Sequence, residues 1–286
     1  MKPSAKSNRR NAIPGIGRLI DAALAEDIGP GDITTDNLIP SDEKGKGIII
    51  AKEELVVAGV HIAHQVFVHL DDDMVIKPSV GDGDFLKPGD TVMEVEGRLC
   101  SLLTGERTAL NFLQRLSGIA THVKSFVDVL EGTNVRLVDT RKTTPGWRVL
   151  EKYAVRVGGA FNHRTGLFDG VLIKDNHIKA CGGIGNAVAG IREKVSHLVK
   201  IEVEVSNRSE VMEAIDSGAD VIMLDNMGLE EIKDSVDLIA GRAIVEVSGM
   251  VTKESLAPLS ETGVDIISAG ALTHSAKAVD LSMRIL

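Results

Sequence analysis

The second half of the chain contains six short apolar segments, and each runs into or carries residues able to do chemistry. These positions are 139–142 (DTRK), 174–177 (KDNH), Glu202 and Glu204, 225–226 (DN), 248–249 (SG) and 268–270 (SAG). Cations, carboxylates and glycines therefore recur at or near the ends of these apolar segments. A phosphate-bearing substrate with a divalent metal needs this combination, because cations bind its charge and carboxylates bind the metal.

Positive charge is concentrated around these segments. Between Arg136 and Lys179 there are nine Lys and Arg but only four Asp and Glu, whereas the whole chain has a net charge of −9. Such a patch in an acidic protein favours a small polyanion over a nucleic acid as the ligand. We interpret the cations at strand ends or in glycine-flanked loops as functional: Arg141, Lys142, Arg164 and Lys174. Four others are equally consistent with solvated helix positions: Arg148, Lys152, Arg156 and Lys179.

The acidic residues and glycines suit the metal, ribose and phosphate of such a ligand. Glu204 and Asp225 end neighbouring strands, and their oxygens suit Mg²⁺ or a ribose. Glu202 shares the face of Glu204 by the two-residue strand period, so a buried charge paired with a lysine is the alternative for it. Gly249 and Gly270 follow strands at positions where barrels often bind a phosphate with backbone N–H groups.

The histidines carry less information. His61 and His64 lie three residues apart on a predicted helix, with no cysteine or carboxylate nearby in sequence to complete a metal site. His163 lies in the basic loop, where it either donates a hydrogen bond to a substrate carboxylate or packs within the loop.

The elements that must position these residues alternate between strands and helices. The predicted strands are 135–139, 171–174, 201–205, 221–225, 244–247 and 264–268, and helix patterns between them cover 186–198, 208–217 and 229–239. Helical crossovers connect each strand to the next, so the sheet is expected to be parallel. Six such units suggest a closed (β/α) barrel, with an open doubly wound sheet as the competing architecture. No G-x-G-x-x-G turn follows a strand, so a dinucleotide-binding fold has no support.

The first half predicts a small α+β domain. The expected elements are a helix at 16–26, a strand at 48–57, a helix at 60–70 and hairpins between 74 and 100. A helix over 105–119 bridges the halves. We therefore predict a disordered tail at 1–14, an α+β domain at 15–118 and a barrel domain at 119–286, whose last helix packs back on the first domain.

Composition excludes several classes of protein. No apolar run approaches the roughly 18 residues of a membrane span, so we expect a soluble protein. Aromatic residues are only 3% of an acidic chain, which argues against nucleic-acid binding. Cys100 and Cys181 are too few for a disulfide framework or a four-cysteine zinc site. Residues 1–11 lack the apolar stretch of a secretory signal, and we expect a cytoplasmic protein.

An ordered series of motifs runs over nearly the whole chain after the tail. It consists of 25–36 (AEDIGPGDITTD), 105–121 (GERTALNFLQRLSGIAT), 139–146 (DTRKTTPG), 158–178 (GGAFNHRTGLFDGVLIKDNHI), 202–207 (EVEVSN), 220–227 (DVIMLDNM), 246–251 (EVSGMV) and 268–275 (SAGALTHS). This series closely resembles the quinolinate phosphoribosyltransferase family, also called nicotinate-nucleotide pyrophosphorylase (carboxylating). Departures at Trp147, Val157, Ala160 and Met250 remove no charged motif residue.

The resemblance implies a reaction and an architecture. Quinolinate and 5-phosphoribosyl 1-pyrophosphate would give nicotinate mononucleotide, pyrophosphate and CO₂ with Mg²⁺, in NAD biosynthesis. The subunit would have an incomplete (β/α) barrel behind a small α+β sandwich domain. It would form a head-to-tail homodimer in which Arg107 reaches the partner's site, and higher oligomers stay open.

The resemblance also assigns site residues. Those expected to bind quinolinate are Arg107, Thr140, Arg141, His163, Arg164 and Lys174. Those expected around the phosphoribosyl pyrophosphate are Lys142, Glu204, Asp225, Ser248, Gly249, Met250, Ser268, Ala269 and Gly270. The catalytic set would be Lys142, Lys174, Glu204 and Asp225. Mg²⁺ would lie at Glu204 and Asp225, directly or through water or substrate.

Two other functions stay open from the sequence. One is phosphoribosyl transfer to another pyridine carboxylate, although both Arg141 and Arg164 favour a substrate with two carboxylates. The other is a non-enzymatic carrier or binding module, suggested by 81–97 (GDGDFLKPGDTVMEVEG), which has the look of a biotinyl or lipoyl domain. No lysine stands at a hairpin tip for modification, so we interpret this segment as scaffold.

Overall fold

The computed structural model of the chain describes Ile13 and residues 15–286. They divide into two compact units. The first contains the described residues up to Thr121 with Val149–Gly158 and Lys277–Leu286, and the second contains His122–Arg148 and Gly159–Ala276. Of the tail predicted at 1–14, all but Ile13 lies outside the described residues. Within the described part of the chain, no helix is long and apolar enough to cross a membrane.

Helices and strands alternate along most of the chain. In the first part they are α1 (Ile16–Ile28), α2 (Thr35–Leu38), β1 (Lys44–Ala51), β2 (Leu55–Val56), α3 (Val60–Leu70), β3 (Val75–Pro78), β4 (Phe85–Leu86), β5 (Thr91–Arg98) and α4 (Leu99–Val127). There follow a short 3-10 helix (Asp128–Leu130), β6 (Arg136–Val138), α5 (Arg148–Val157), β7 (Val171–Ile173), α6 (Asp175–Cys181), α7 (Ile184–Arg192), β8 (Ile201–Val205), α8 (Arg208–Asp216), β9 (Val221–Asp225), α9 (Leu229–Ile239), β10 (Ile244–Ser248), α10 (Lys253–Ser260), β11 (Ile266–Ser268), α11 (Ala271–His274) and β12 (Leu281–Ile285).

The first unit is built on an antiparallel sheet with the strand order β12-β1-β5-β3, as the α+β prediction requires. The predicted strand at 48–57 is divided, because the charged residues 52–54 interrupt it between β1 and β2. Helix α3 matches its prediction, since its buried residues Ile62, Ala63, Val66 and Phe67 follow the helical repeat of three and four.

Helix α4 is longer than the predicted segment 105–119 and spans 29 residues. Gly118 lies inside this helix, where a Cβ would lie 2.0 Å from the backbone oxygen of Lys277. The chain around Lys277 therefore packs directly against the helix backbone.

We expect Gly118→Ala to lower the free energy of unfolding by roughly 1–3 kcal/mol, because backbone atoms must move to admit the methyl group. Gly190→Ala in α7 is the matched control, since nothing lies within 4 Å of its added Cβ. Alanine should be neutral or stabilising there by up to about 1 kcal/mol. Urea unfolding measures both changes, and equal effects would contradict the close approach.

The predicted last helix of the barrel domain is wrong. Residues 281–285 form β12, which pairs with β1 in antiparallel register, for example Ile49 with Met283. The physical reason is that burial alternates with the two-residue repeat of a strand, since Leu281 and Met283 are buried while Arg284 is exposed. This segment belongs to the first unit.

The second unit is a parallel sheet with the order β6-β11-β10-β9-β8-β7. The first strand of the series thus pairs with the last, which is the order of a barrel and not of a doubly wound sheet. No ladder joins β6 to β7 among the described residues. An isolated bridge from Val138 to Phe161 occupies that edge of β6. The barrel is therefore incomplete, as the family resemblance implies, and the closed barrel inferred from strand number is wrong.

Candidate active site

A cavity of about 580 Å³ opens at the carboxyl ends of the parallel strands. Its lining residues are Thr140, Arg141, Lys142, His163, Arg164, Leu172, Lys174, Glu204, Met223, Asp225, Asn226, Ser248, Gly249, Met250 and Ser268. The structure therefore brings together all the predicted site residues except Arg107, Ala269 and Gly270.

Two guanidinium groups define the cationic side of this cavity. Burial and then the charge of Arg141 lower the pKa of Arg164. The Arg164 Nη1 donates to the backbone oxygen of Gly170 at 3.0 Å. The Nε of Arg141 is buried with no hydrogen-bond partner among the described residues. Two neighbouring cations with an unpartnered buried donor form a site that an anion would stabilise.

The acidic side contains Glu204 and Asp225. Lys174 Nζ donates to Glu204 Oε2, so these two predicted catalytic residues form an ion pair. Asn226 Nδ2 donates to Asp225 Oδ2 at 2.7 Å. The cavity therefore has carboxylate oxygens close to cations.

Lys142 is held by the backbone and by the segment after β11. Its N–H donates to Thr140 Oγ1 at 3.0 Å, and its carbonyl accepts from Thr273 Oγ1 at 2.8 Å. A Cβ at Gly270 would lie 2.8 Å from Lys142 Cδ. Gly270 thus leaves room for the lysine side chain, although it does not line the cavity itself.

The ends of β9 and β10 meet at the rim. The Asn226 N–H donates to the Ser248 oxygen at 3.0 Å. Gly249 has a φ of 103°, and a Cβ there would lie 2.3 Å from Asn226 Oδ1. Met250 has a φ of 40° and is 91% exposed. A methionine in left-handed backbone costs about 1–3 kcal/mol, a strain typical of functional loops.

A layer of ionisable groups lies nearer the amino ends of the strands. Glu202 is buried, and its Oε2 lies 3.1 Å from His163 Nε2; Glu246 Oε1 lies 3.6 Å from the same nitrogen. A second cavity of about 450 Å³ shares His163 and Arg164 with the first and is also lined by both glutamates. The buried-charge interpretation of Glu202 is therefore confirmed, but its partner is a histidine instead of a lysine.

Burial, and then the Glu202 carboxylate, raises the pKa of Glu246 to about 7. Between pH 4.5, the ordinary pKa of the unfolded group, and about pH 7, the carboxyl of Glu246 is protonated in the folded protein and ionised in the unfolded chain. Stability is then lost as pH rises through this window, by roughly 3 kcal/mol above pH 7. Glu246→Gln cannot titrate, so its stability relative to the wild type should rise between about pH 5 and pH 8. Urea unfolding measures this, with the exposed Glu230→Gln as control, and a pH-independent difference would contradict it.

The cations outside this cavity have different environments. Arg148 Nε donates to Thr143 Oγ1 at 3.0 Å and its Nη1 to the Thr165 oxygen at 3.2 Å, so it links two loops. Lys152 is only 3% exposed, which contradicts a solvated position for it. Arg156 is exposed, and Lys179 pairs with Asp175 on the surface of α6. The solvated-helix interpretation therefore holds for the last two.

Some predicted residues lie elsewhere, and some lining residues were not foreseen. Arg107 is exposed on α4 in the first unit, and Ala269 is buried. The residues missed are Leu172, Met223 and Glu246. The period of two in strands would have found all three, because they lie two positions before Lys174, Asp225 and Ser248.

Comparison with known proteins decides the family. A sequence model of the quinolinate phosphoribosyl transferase N-terminal domain matches residues 32–117, and one of the C-terminal domain matches residues 119–284. The chain belongs to the quinolinate phosphoribosyltransferase family. The family predicted from the motifs is thus confirmed.

Other members of the quinolinate phosphoribosyltransferase family are similar over most of their lengths. A probable nicotinate-nucleotide pyrophosphorylase [carboxylating] of Bacillus subtilis is 44% identical over 94% of this chain and 92% of that protein. One of Synechocystis is 47% identical over 92% and 90%, respectively. The solved nicotinate-nucleotide pyrophosphorylase of Francisella tularensis has a TM-score of 0.91 and 42% identity over 95% of this chain and 96% of that one. The fold, with its incomplete barrel unit and its α+β unit, is therefore shared with a solved relative.

Proposed function

We propose that this protein transfers the phosphoribosyl group of 5-phosphoribosyl 1-pyrophosphate to quinolinate. The reaction releases pyrophosphate and CO₂ and gives nicotinate mononucleotide for NAD biosynthesis. Family membership supports the proposal, and one observation of the site supports the choice of substrate. Arg141 and Arg164 lie close enough for one charge to lower the pKa of the other, in a cavity opening to solvent. A pyridine with two adjacent carboxylates matches two adjacent guanidinium groups.

The quinolinate carboxylates would bind to Arg141 and Arg164, with Thr140 beside them. Arginine binds carboxylate oxygens in pairs, so two arginines fix the plane of the pyridine ring as well as its charge. Lys174 lines the same cavity and is paired with Glu204. Binding of the carboxylates would hold the ring nitrogen for attack on C1 of the ribose.

The phosphoribosyl pyrophosphate would occupy the side formed by Lys142, Glu204, Asp225 and the rim at Ser248–Met250. Positive charge develops on the ribose as the bond from C1 to pyrophosphate breaks. Carboxylates near the ribose stabilise that charge, while Lys142 stabilises the leaving group. The glycine at 249 lets backbone N–H groups approach phosphate oxygens.

The second chemical step needs no covalent catalyst from the protein. Once the pyridine nitrogen is bonded to C1, it is positively charged. Loss of CO₂ from the adjacent carbon leaves a carbanion that this charge stabilises, and a proton then replaces the carboxylate. The chain's cations therefore have to orient the leaving carboxylate, while the pyridinium charge itself stabilises the carbanion.

We propose Mg²⁺ as the cofactor. The donor set fits it, because Glu204 and Asp225 supply hard carboxylate oxygens within one cavity and Ser248 adds a hydroxyl. Magnesium usually binds through one or two carboxylates plus substrate phosphates, and when bound it would neutralise pyrophosphate charge. The Lys174 ammonium is the partner of Glu204 in the structure and places a cation beside this donor set.

We also propose a homodimer in which Arg107 completes the partner's site. Arg107 is exposed on α4 and is not among the lining residues of this cavity, which is consistent with that role. A cytoplasmic location is proposed from the acidic composition and from Cys100 and Cys181, which are both free.

Release of CO₂ from carboxyl-labelled quinolinate tests the proposed reaction directly. It should require both 5-phosphoribosyl 1-pyrophosphate and Mg²⁺, and nicotinate mononucleotide should form in equal amount. Nicotinate in place of quinolinate tests the alternative pyridine substrate. Efficient conversion of nicotinate, or no CO₂ from quinolinate, would overturn the proposal.

Glu204→Gln and Asp225→Asn should lower kcat roughly a hundredfold, the usual effect of removing one group that stabilises transition-state charge. Quinolinate affinity should change less than about threefold, because these groups act on the ribose and metal. Kinetics and isothermal titration separate the two effects, with the exposed Asp234→Asn as control. Lost quinolinate binding with full kcat would contradict the assignment.

A further inference from the structure

Three ionisable side chains meet beneath the site cavity, and the proposed reaction uses two of them nowhere. They are His163, Glu202 and Glu246. Both glutamates are buried, with 7% and 2% of their surface exposed. The Oε1 atom of each is also buried and has no hydrogen-bond partner in the described part of the chain. Two acidic side chains are costly in such a place, so their presence calls for a role.

The hydrogen bonds of His163 fix the state of its ring. The backbone N–H of Arg164 donates to His163 Nδ1 at 2.8 Å. An accepting nitrogen must carry a free lone pair, so the ring proton lies on Nε2. Nε2 is the atom that faces Glu202 and Glu246. Both ring nitrogens are thus engaged within the protein, which disagrees with a direct hydrogen bond from His163 to a substrate carboxylate.

The same contacts hold Arg164. Asp139, which is fully buried, accepts from the His163 N–H at 2.9 Å and from Asn162 Nδ2 at 2.7 Å. The Arg164 backbone is bonded to the His163 ring, and its guanidinium to the Gly170 oxygen. Rotation of the His163 ring would therefore release the backbone from which the Arg164 side chain extends.

We propose that His163 is a positioning residue, and that Glu202 and Glu246 hold its ring so that Arg164 faces the quinolinate carboxylate. The inference rests on the proposed function, since it assigns Arg164 to quinolinate. His163 then contributes to binding through Arg164 and makes no contact of its own. Glu202 and Glu246 contribute indirectly as well, because they hold the His163 ring and do not contact the substrate.

A divalent cation is the competing occupant of this cluster, because the three ligand atoms lie within 4.8 Å of one another. The hydrogen bonds argue against it. A histidine ligand binds metal through an unprotonated nitrogen, and here Nδ1 accepts from the backbone while Nε2 carries the proton. The geometry favours positioning, and bound metal is an outcome of the test.

A double-mutant cycle distinguishes positioning from direct contact. His163→Asn should raise the quinolinate KM roughly ten- to a hundredfold, the range seen when groups that orient metal ligands are removed, with kcat within about threefold. In an Arg164→Ala background the same change should alter KM by less than about twofold, because the residue it acts through is gone. An equal factor in both backgrounds would show that His163 contacts the substrate itself.

Glu246→Gln and Glu202→Gln keep the side-chain volume and provide an independent test if the His163→Asn variant does not fold. Each should raise the quinolinate KM at least about threefold, again only while Arg164 is present. Lys200→Gln is the matched control, since Lys200 lines the same lower cavity and is not one of the three clustered residues. No effect of either glutamine variant, or an equal effect of Lys200→Gln, would overturn the proposal.

Two measurements do not depend on activity. Nitrogen-15 spectra of histidine-labelled protein, assigned with His163→Asn, should show a neutral ring protonated on Nε2. A doubly protonated ring, or one equivalent of tightly bound metal that is lost in Glu246→Gln, would overturn the proposal. If the wild type releases no CO₂ from quinolinate, the proposed function fails, while the spectra still decide the state of the ring.

Discussion

Quinolinate should bind about thirtyfold or more weakly when either Arg141 or Arg164 is replaced by alanine. Each truncation leaves a substrate carboxylate in a partly buried site without its charged partner. Such a loss costs about 2–5 kcal/mol, and tenfold in affinity corresponds to about 1.4 kcal/mol. The effect should be larger than at any other cation of the basic stretch, because Arg141 has a buried donor without a partner.

Isothermal titration with quinolinate measures this prediction. Lys179→Ala is the matched control, since it removes one positive charge from an exposed position on α6. Wild-type affinity in both arginine variants would show that the dicarboxylate binds elsewhere. A loss that is as large in Lys179→Ala would show that overall charge, and not the arginine pair, governs binding.

Arg107→Ala should be nearly inactive yet folded, and activity should return when it is mixed with an inactive Lys174→Ala variant. In a dimer with shared sites, one of the two sites of a heterodimer would receive both intact residues. Random exchange at equal ratio leaves half the molecules as heterodimers with one good site each, which predicts about a quarter of wild-type activity. This recovery is large against two inactive parents.

The measurement is CO₂ release after subunit exchange has been demonstrated with differently tagged chains. Arg164→Ala mixed with Lys174→Ala is the control, because both residues line the same cavity of one chain and no mixed site regains both. No recovery with Arg107→Ala after exchange would mean that Arg107 serves its own chain's site or none. Equal recovery in the control would indicate an artefact of exchange.

The parts of the fold that are set by neighbouring residues could be predicted from the sequence. Strands β8 and β9 and helices α3 and α9 have their predicted bounds, because periodic apolar residues end at charged or turn-forming ones. The site cations and carboxylates followed from one rule, that the carboxyl ends of parallel strands share a rim.

What could not be predicted depends on residues far apart in the chain. Helix α4 extends beyond its predicted bounds at both ends, and the close approach of its Gly118 to the backbone at Lys277 joins residues far apart in the chain. Strand β11 starts two residues later than predicted, because Asp265 pairs with Val245 through its side chain as well as its backbone. The strand period places Glu246 on the same face as Ser248, but its contacts with His163 and Glu202 join residues far apart in the chain.

The pairing of β12 with β1 has a consequence for how the protein is made. More than two hundred residues, including the whole barrel unit, are synthesised between these two strands. Until residues 281–285 have left the ribosome, β1 has a partner only on its β5 side, and its other edge is open to strands of other chains. Closing so long a loop is entropically costly, so the first unit acquires its last strand late in folding. During this interval newly made chains depend on low concentration or on chaperones to avoid edge-to-edge association.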